Sequence, residues 1–315
     1  MVPDATFVSY YGRPVVKASP WEADIPAYLF LGGLAAGSSL LSAGADLTGR
    51  PSLRRTGRVG ALVGISVSFA ALVHDLGRPA RFVNMLRVAK WTSPMSVGTW
   101  ILSVYGPLAM LAGAAELAPS VRLLPDPVVR LASVLGRPAG LAAALLAPAV
   151  ASYTAVLLSD TATPSWHEAH RELPFVFVGS ASAAAGGLGL LGAATADAGP
   201  ARKLAVGGAV VELAMGRVMD RSMGLTAETL HIGTPGRLRR ASELLTTGGA
   251  ALAVLGRRSR VLSAVSGAAL LAGSACTRFA VFHAGQNSAK DPRYTIVPQR
   301  ERMDSSGMEK FPAQA

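Results

Sequence analysis

Long stretches of the chain carry no charge at all, and they recur at short intervals. Residues 25–45 run uncharged between Asp24 and Asp46, 91–115 between Lys90 and Glu116, 138–159 between Arg137 and Asp160, and 173–196 between Glu172 and Asp197. A shorter apolar run, 59–73, is closed by Arg58 on one side and His74-Asp75 on the other. The hydrocarbon core of a bilayer is about 30 Å thick and takes roughly 20 apolar residues of α-helix to cross. Each of these runs therefore predicts a membrane helix. The second half is more broken. Residues 204–216 are apolar except for Glu212, 244–256 need 241–243 to reach across, and 261–277 form a last run between Arg260 and Arg278. The pattern predicts an all-α polytopic membrane protein, a bundle of about eight transmembrane helices. It reads as one membrane domain over 1–315, with a first four-helix bundle at 25–160, a second at 173–280, and extramembrane tails at 1–24 and 285–315.

Composition agrees. Half of the residues are hydrophobic (50%) and only 16% are charged, against roughly 25% in soluble domains. Lipid removes the need for a charged surface. The net charge of +11 sits in short Lys and Arg clusters between apolar runs, as expected at lipid headgroups rather than along nucleic acid. An even number of crossings puts both termini on one side, here called side one. On side two the cations fall in short connections: Arg50, Arg54, Arg55 and Arg58, then Arg122, Arg130 and Arg137, then Arg202 and Lys203, then Arg257, Arg258 and Arg260. Short loops weigh most in the positive-inside rule, so side two reads as cytoplasmic and the chain as a multi-pass protein of the cell membrane. Residues 1–24 lack the apolar core of a cleavable signal, and the run from Ile25 reads as the first anchor. Gly33 with Gly37, and Gly60 with Gly64, have the small-xxx-small spacing that lets helices approach closely.

Ionisable groups within or against the membrane are costly and therefore candidates for function. Four features qualify. The stretch His74-Asp75-Leu76-Gly77-Arg78-Pro79-Ala80-Arg81-Phe82 gathers a carboxylate, an imidazole and two guanidiniums at a span end. It suits either hydrogen bonding to a polar ligand with proton exchange, or an ion pair that anchors a loop. Trp21-Glu22-Ala23-Asp24 precedes the first span and suits an interfacial aromatic belt as well as a headgroup-level pocket. Tyr153 lies inside the fourth span, at a depth where its hydroxyl needs a partner. Glu212 interrupts the sixth span, as a proton-relay group or as a carboxylate satisfied by its neighbours.

Other chemistry is absent. The single cysteine, Cys276, can form neither an intrachain disulfide nor an iron–sulfur site. The five histidines, His74, His167, His170, His231 and His283, lie at span ends or in loops, which excludes a haem held by two histidines within the bundle. His167 and His170 flank Glu168 without a full metal-ligand set. No phosphate-binding glycine loop occurs; the glycines lie in spans.

Four ordered segments resemble one family. Tyr28-Leu29-Phe30-Leu31-Gly32-Gly33-Leu34-Ala35-Ala36-Gly37 is similar to the first-helix signature of NrfD proteins, the membrane subunits of polysulfide reductase type. His74 to Pro79 followed by Arg81-Phe82 resembles the second-helix and loop motif. Thr92-Ser93-Pro94-Met95-Ser96-Val97-Gly98-Thr99-Trp100 resembles the third-helix start, and Ser152 to Leu158 followed by Pro164-Ser165-Trp166 the fourth helix and its exit. The resemblance implies an eight-helix subunit with no haem and no iron–sulfur cluster of its own. Such a subunit anchors an iron–sulfur subunit and a molybdopterin catalytic subunit, and exchanges electrons with menaquinone or another quinone. The family's quinone-binding tyrosine would be Tyr153 and its acidic loop residue Asp75. The polar or His position near the start of helix one reads Trp21-Glu22-Ala23-Asp24 here, without His. The expected site is one side-one pocket, with Asp75 and His74 as the proton-exchanging catalytic pair and Tyr153, Arg78, Asp24 and Trp21 holding quinone. Two rival functions are a proton- or ion-translocating subunit, with Glu212 and Glu116 in a relay, and a secondary transporter. The transporter predicts an internal repeat that the sequence does not display.

Overall fold

In the computed structural model, which describes residues 13–122 and 124–305, every regular element is helical. Besides 3-10 turns at Ala118–Ser120 and Gly224–Leu230, these are in chain order α1 (Asp24–Leu47), α2 (Pro51–Asp75), α3 (Arg81–Leu86), α4 (Pro94–Leu117), α5 (Asp126–Ser159), α6 (Pro164–Glu168), α7 (Leu173–Gly192), α8 (Gly199–Ser222), α9 (Gly233–Leu255), α10 (Arg260–Lys290) and α11 (Arg293–Ser305). Among the described residues eight of these have 20 residues or more. Six are long and apolar enough to cross a membrane: α1, α2, α4, α5, α7 and α10. The two that fall short, α8 and α9, are the predicted sixth and seventh spans. Their apolar stretches, 204–216 and 244–256, are each only about 20 Å of helix.

Local sequence sets the boundaries. α1 stops at Gly49, which takes φ +66°, and Arg50 N–H closes the cap on the Ala45 carbonyl at 2.8 Å. Pro51 then opens α2 at the first helical position, where its missing N–H is not needed. α4 opens the same way at Pro94, with Ser93 as cap, its side chain accepting from Ser96 N–H at 3.4 Å.

Helix α1 is the axis of the bundle, packing along α2 and against α5 and α7, while α7 in turn packs on α8 and α10. Small residues make these approaches possible. A Cβ on Gly37 would lie 2.7 Å from the Ala185 Cβ and 2.8 Å from the Ala181 carbonyl oxygen on α7. In lipid such close van der Waals contact, rather than water exclusion, holds helices together.

Helices α2, α5 and α10 extend past the predicted limits through charges, as do α8 and α9. α2 begins at Pro51, so Arg54 and Arg58 lie within it rather than in a loop. Arg58 is buried and contacts Glu116 of α4 at 3.0 Å and Asp46 of α1 at 3.6 Å; Arg54 holds Glu116 at 3.1 Å, and Arg137 of α5 reaches Asp46 at 3.2 Å. This cluster ties four helices together and occupies Glu116. α5 starts at Asp126, ahead of Arg137. α10 runs on through Arg278, which is 0% exposed, to Lys290. A paired charge inside a bundle does not end a helix.

Candidate functional site

The motif residues converge because of how three helices end and begin. α2 ends at Asp75; Gly77 adopts φ +66° and Pro79 follows, so the chain turns back into α3. That turn brings Arg81 and Met85 over the end of α2. The start of α4 supplies Met95 and Thr99, and α5 supplies Tyr153. The segment before α1 is tied to α10 by Gln286, whose Nε2 donates to the Ser19 and Trp21 carbonyls at 3.1 Å each.

Between these elements lies a cavity of about 260 Å³. Its lining includes Trp21, Tyr28, Asp75, Arg81, Thr99 and Tyr153, whose side chains carry polar groups, and the apolar Ile25, Leu72, Met85, Met95, Leu102 and Leu157. The Tyr153 hydroxyl forms no hydrogen bond with another described residue. The Glu22 backbone faces the Asp75 carboxylate. Thr99 is occupied locally, donating to the Met95 carbonyl at 2.8 Å. Arg81 is exposed at the mouth and reaches the Leu76 carbonyl at 3.4 Å.

Two supports fix the cavity walls. Trp21 stacks on Trp166 with ring centroids 5.9 Å apart. Trp166 is 1% exposed, packs near Phe282 and donates its indole N–H to the Val281 carbonyl at 2.8 Å. Behind Tyr153, Gly98 of α4 leaves room for the ring; any Cβ there would overlap it.

The six residues expected in one pocket therefore divide. Trp21, Asp75 and Tyr153 line the cavity. His74 and Asp24 pair at 2.6 Å on the exposed surface beside it. Arg78 is exposed and outside the lining, and Arg81 supplies the guanidinium instead. Glu212 is elsewhere, buried on α8 and bonded to Thr277. Sequence reasoning passed over Tyr28, Thr99, Gly98 and Trp166, although all four stand inside the quoted motifs. Among the described residues no three His, Cys, Asp or Glu side chains gather as a metal site.

The chain is matched by a family model described as polysulphide reductase, NrfD, over residues 15–227. The matched region contains every residue lining the cavity. A comparison with curated proteins finds no match.

Proposed function

The chain belongs to the polysulphide reductase NrfD family, and we propose that it is the quinone-reactive anchor of a multi-subunit oxidoreductase in the cell membrane. It holds an iron–sulfur subunit and, through it, a molybdopterin catalytic subunit, and exchanges electrons with menaquinone or another quinone. On this reading α8 and α9 also cross the bilayer, completing eight spans. The observation that carries the proposal is the convergence of Trp21, Asp75 and Tyr153, from three separate segments, on one cavity.

The residues fit a quinone head. At about 260 Å³ the cavity falls just below the roughly 300–1,000 Å³ usual for drug-sized ligands, which suits a single ring system. Its largely apolar wall with a few convergent polar groups is the usual composition of such sites. Quinone, when bound, supplies two-electron, two-proton chemistry. Tyr153 has a free hydroxyl to donate to a carbonyl, and Trp21, backed by Trp166, gives a flat wall. Asp75, one residue from the exposed His74–Asp24 pair, exchanges protons with water at the mouth. Arg81 adds a fixed positive charge on the same side.

Purification with native partners tests the anchor role. Recovery of the chain alone, with neither an iron–sulfur subunit nor bound quinone, would sink it. Unchanged quinone-linked electron transfer in both Tyr153→Phe and Asp75→Asn would remove the site while leaving the anchor role standing.

A further inference from the structure

Away from the quinone cavity, a second polar site lies between α7, α8, α9 and α10. At its centre is Glu212, 5% exposed. One carboxyl oxygen accepts from the Thr277 hydroxyl at 2.5 Å, and Thr277 also meets Ser242 at 2.6 Å. The Ser180 hydroxyl, which donates to Ser274 at 2.8 Å, also faces this carboxyl, and the other oxygen makes no hydrogen bond of normal geometry among the described residues. Arg278 of α10 faces the same region and is 0% exposed. It lies over the Phe177 ring at 3.6 Å and donates one hydrogen bond, to the Phe177 carbonyl at 2.7 Å. Its Nε and Nη1 also have no hydrogen-bond partner among the described residues. A buried polar atom left unpaired is costly, and three occur together here. Water is the usual partner for such groups.

There is room for water. A crevice of about 40 Å³ is lined by Glu212, Gly216 and Met219 of α8, Arg239, Ser242 and Glu243 of α9 and Thr277 of α10. One water needs roughly 10–15 Å³ measured this way, so the crevice has room for a short file. Its outer end is ionic: Arg239 holds Asp220 at 2.5 Å and Glu243 at 3.2 Å, and His231 approaches Asp220 at 3.5 Å. The titratable and charged groups around the path are thus Glu212 and Asp220 from α8, Arg239 and Glu243 from α9, Arg278 from α10, and His231 ahead of α9. A carboxylate kept only for packing needs neither a free oxygen nor a channel.

We propose that Glu212 is a proton-exchange site, separate from the quinone cavity, that takes up and releases a proton through this crevice. Asp220, Arg239 and Glu243 form its mouth, and Arg278 is the fixed counter-charge of the ionised state. The proposal stands without the quinone reading, because none of its groups lines that cavity.

Infrared difference spectroscopy of the intact complex in membranes tests it. The wild type should show a protonated-carboxyl C=O band that titrates, shifts in D2O, and is missing from the nearly isosteric Glu212→Gln. Gly216→Leu should slow the D2O shift severalfold, because it fills the crevice without touching Glu212; a Cβ at Gly216 meets only Arg239, at 3.8 Å. Tyr153→Phe should leave the band intact. Identical spectra for wild type and Glu212→Gln would overturn the proposal. So would an unchanged exchange rate in folded Gly216→Leu. Should that variant not fold, the wild-type band must still exchange with D2O, and a band that does not exchange is equally fatal.

Discussion

The ring of Tyr153 rests on the bare Cα of Gly98, so the tyrosine's seat on α5 is cut by a glycine on α4. Overpacking a fitted contact costs about 1–3 kcal/mol, and here the side chain free to yield is the one facing the cavity. Gly98→Ala should therefore lower quinone-linked electron transfer severalfold while the assembled complex remains intact. Turnover measured at varied quinol concentration checks this; wild-type kinetics in Gly98→Ala would mean that the ring position does not matter.

Tyr153 and Asp75 should fail in different ways. Tyr153→Phe removes one neutral hydrogen bond, worth about 1 kcal/mol, so KM for quinol should rise about fivefold with kcat nearly kept. Asp75→Asn removes the proposed proton-exchanging group, for which losses of about 10²–10⁴ in rate are typical, so kcat should fall with little change in KM. The same KM-against-kcat split in both variants would refute the division of roles.

Gly285 lies directly beneath the indole of Trp166. Gly285→Val should push out Trp166, which supports Trp21, and so weaken both stability and quinone binding. A lowered thermal midpoint together with a raised KM is expected. A lowered midpoint with unchanged KM would show that Trp21 does not depend on its stacking partner.

Arg58 is the shared partner of Asp46 and Glu116, whose side chains are each 9% exposed. Breaking a buried ion pair by removing one member costs about 3–5 kcal/mol. Arg54 and Arg137 remain in Arg58→Met, so the loss should fall at the low end of that range. Unfolding in detergent should move to a lower midpoint while quinone turnover of the folded fraction is unchanged. Glu116→Gln should cost less, because Arg58 keeps Asp46. Equal midpoints for wild type and Arg58→Met would count against the cluster as a clamp.

What the sequence could reveal follows from how lipid filters residues. The uninterrupted runs at 25–45, 91–115, 138–159 and 173–196 each correspond to a long helix, because lipid-facing helices tolerate little charge. Arg58 and Arg278 bound apolar runs in the sequence for the same reason, yet both are interior charges with partners on other helices. A gap between charges cannot distinguish a loop from a buried pair. Near the cavity, the motifs bring Asp75 and Tyr153 to one lining but do not encode which side chain points inward. Arg81 replaces Arg78 because the Gly77 turn redirects the chain, and Trp21 meets Trp166 across 145 residues of sequence, a contact no local pattern encodes.

The short apolar stretches of α8 and α9 have a mechanical consequence if both helices cross the bilayer. One flank of the bundle would then present a hydrophobic belt about 10 Å lower than the roughly 30 Å core of a typical membrane. Lipid there must dimple toward the protein, at a fraction of a kcal/mol for each ångström of mismatch. Covering that flank with another protein surface would let the lipid relax. The elasticity of the membrane would then help to hold the assembly together, and a thicker bilayer would tighten it.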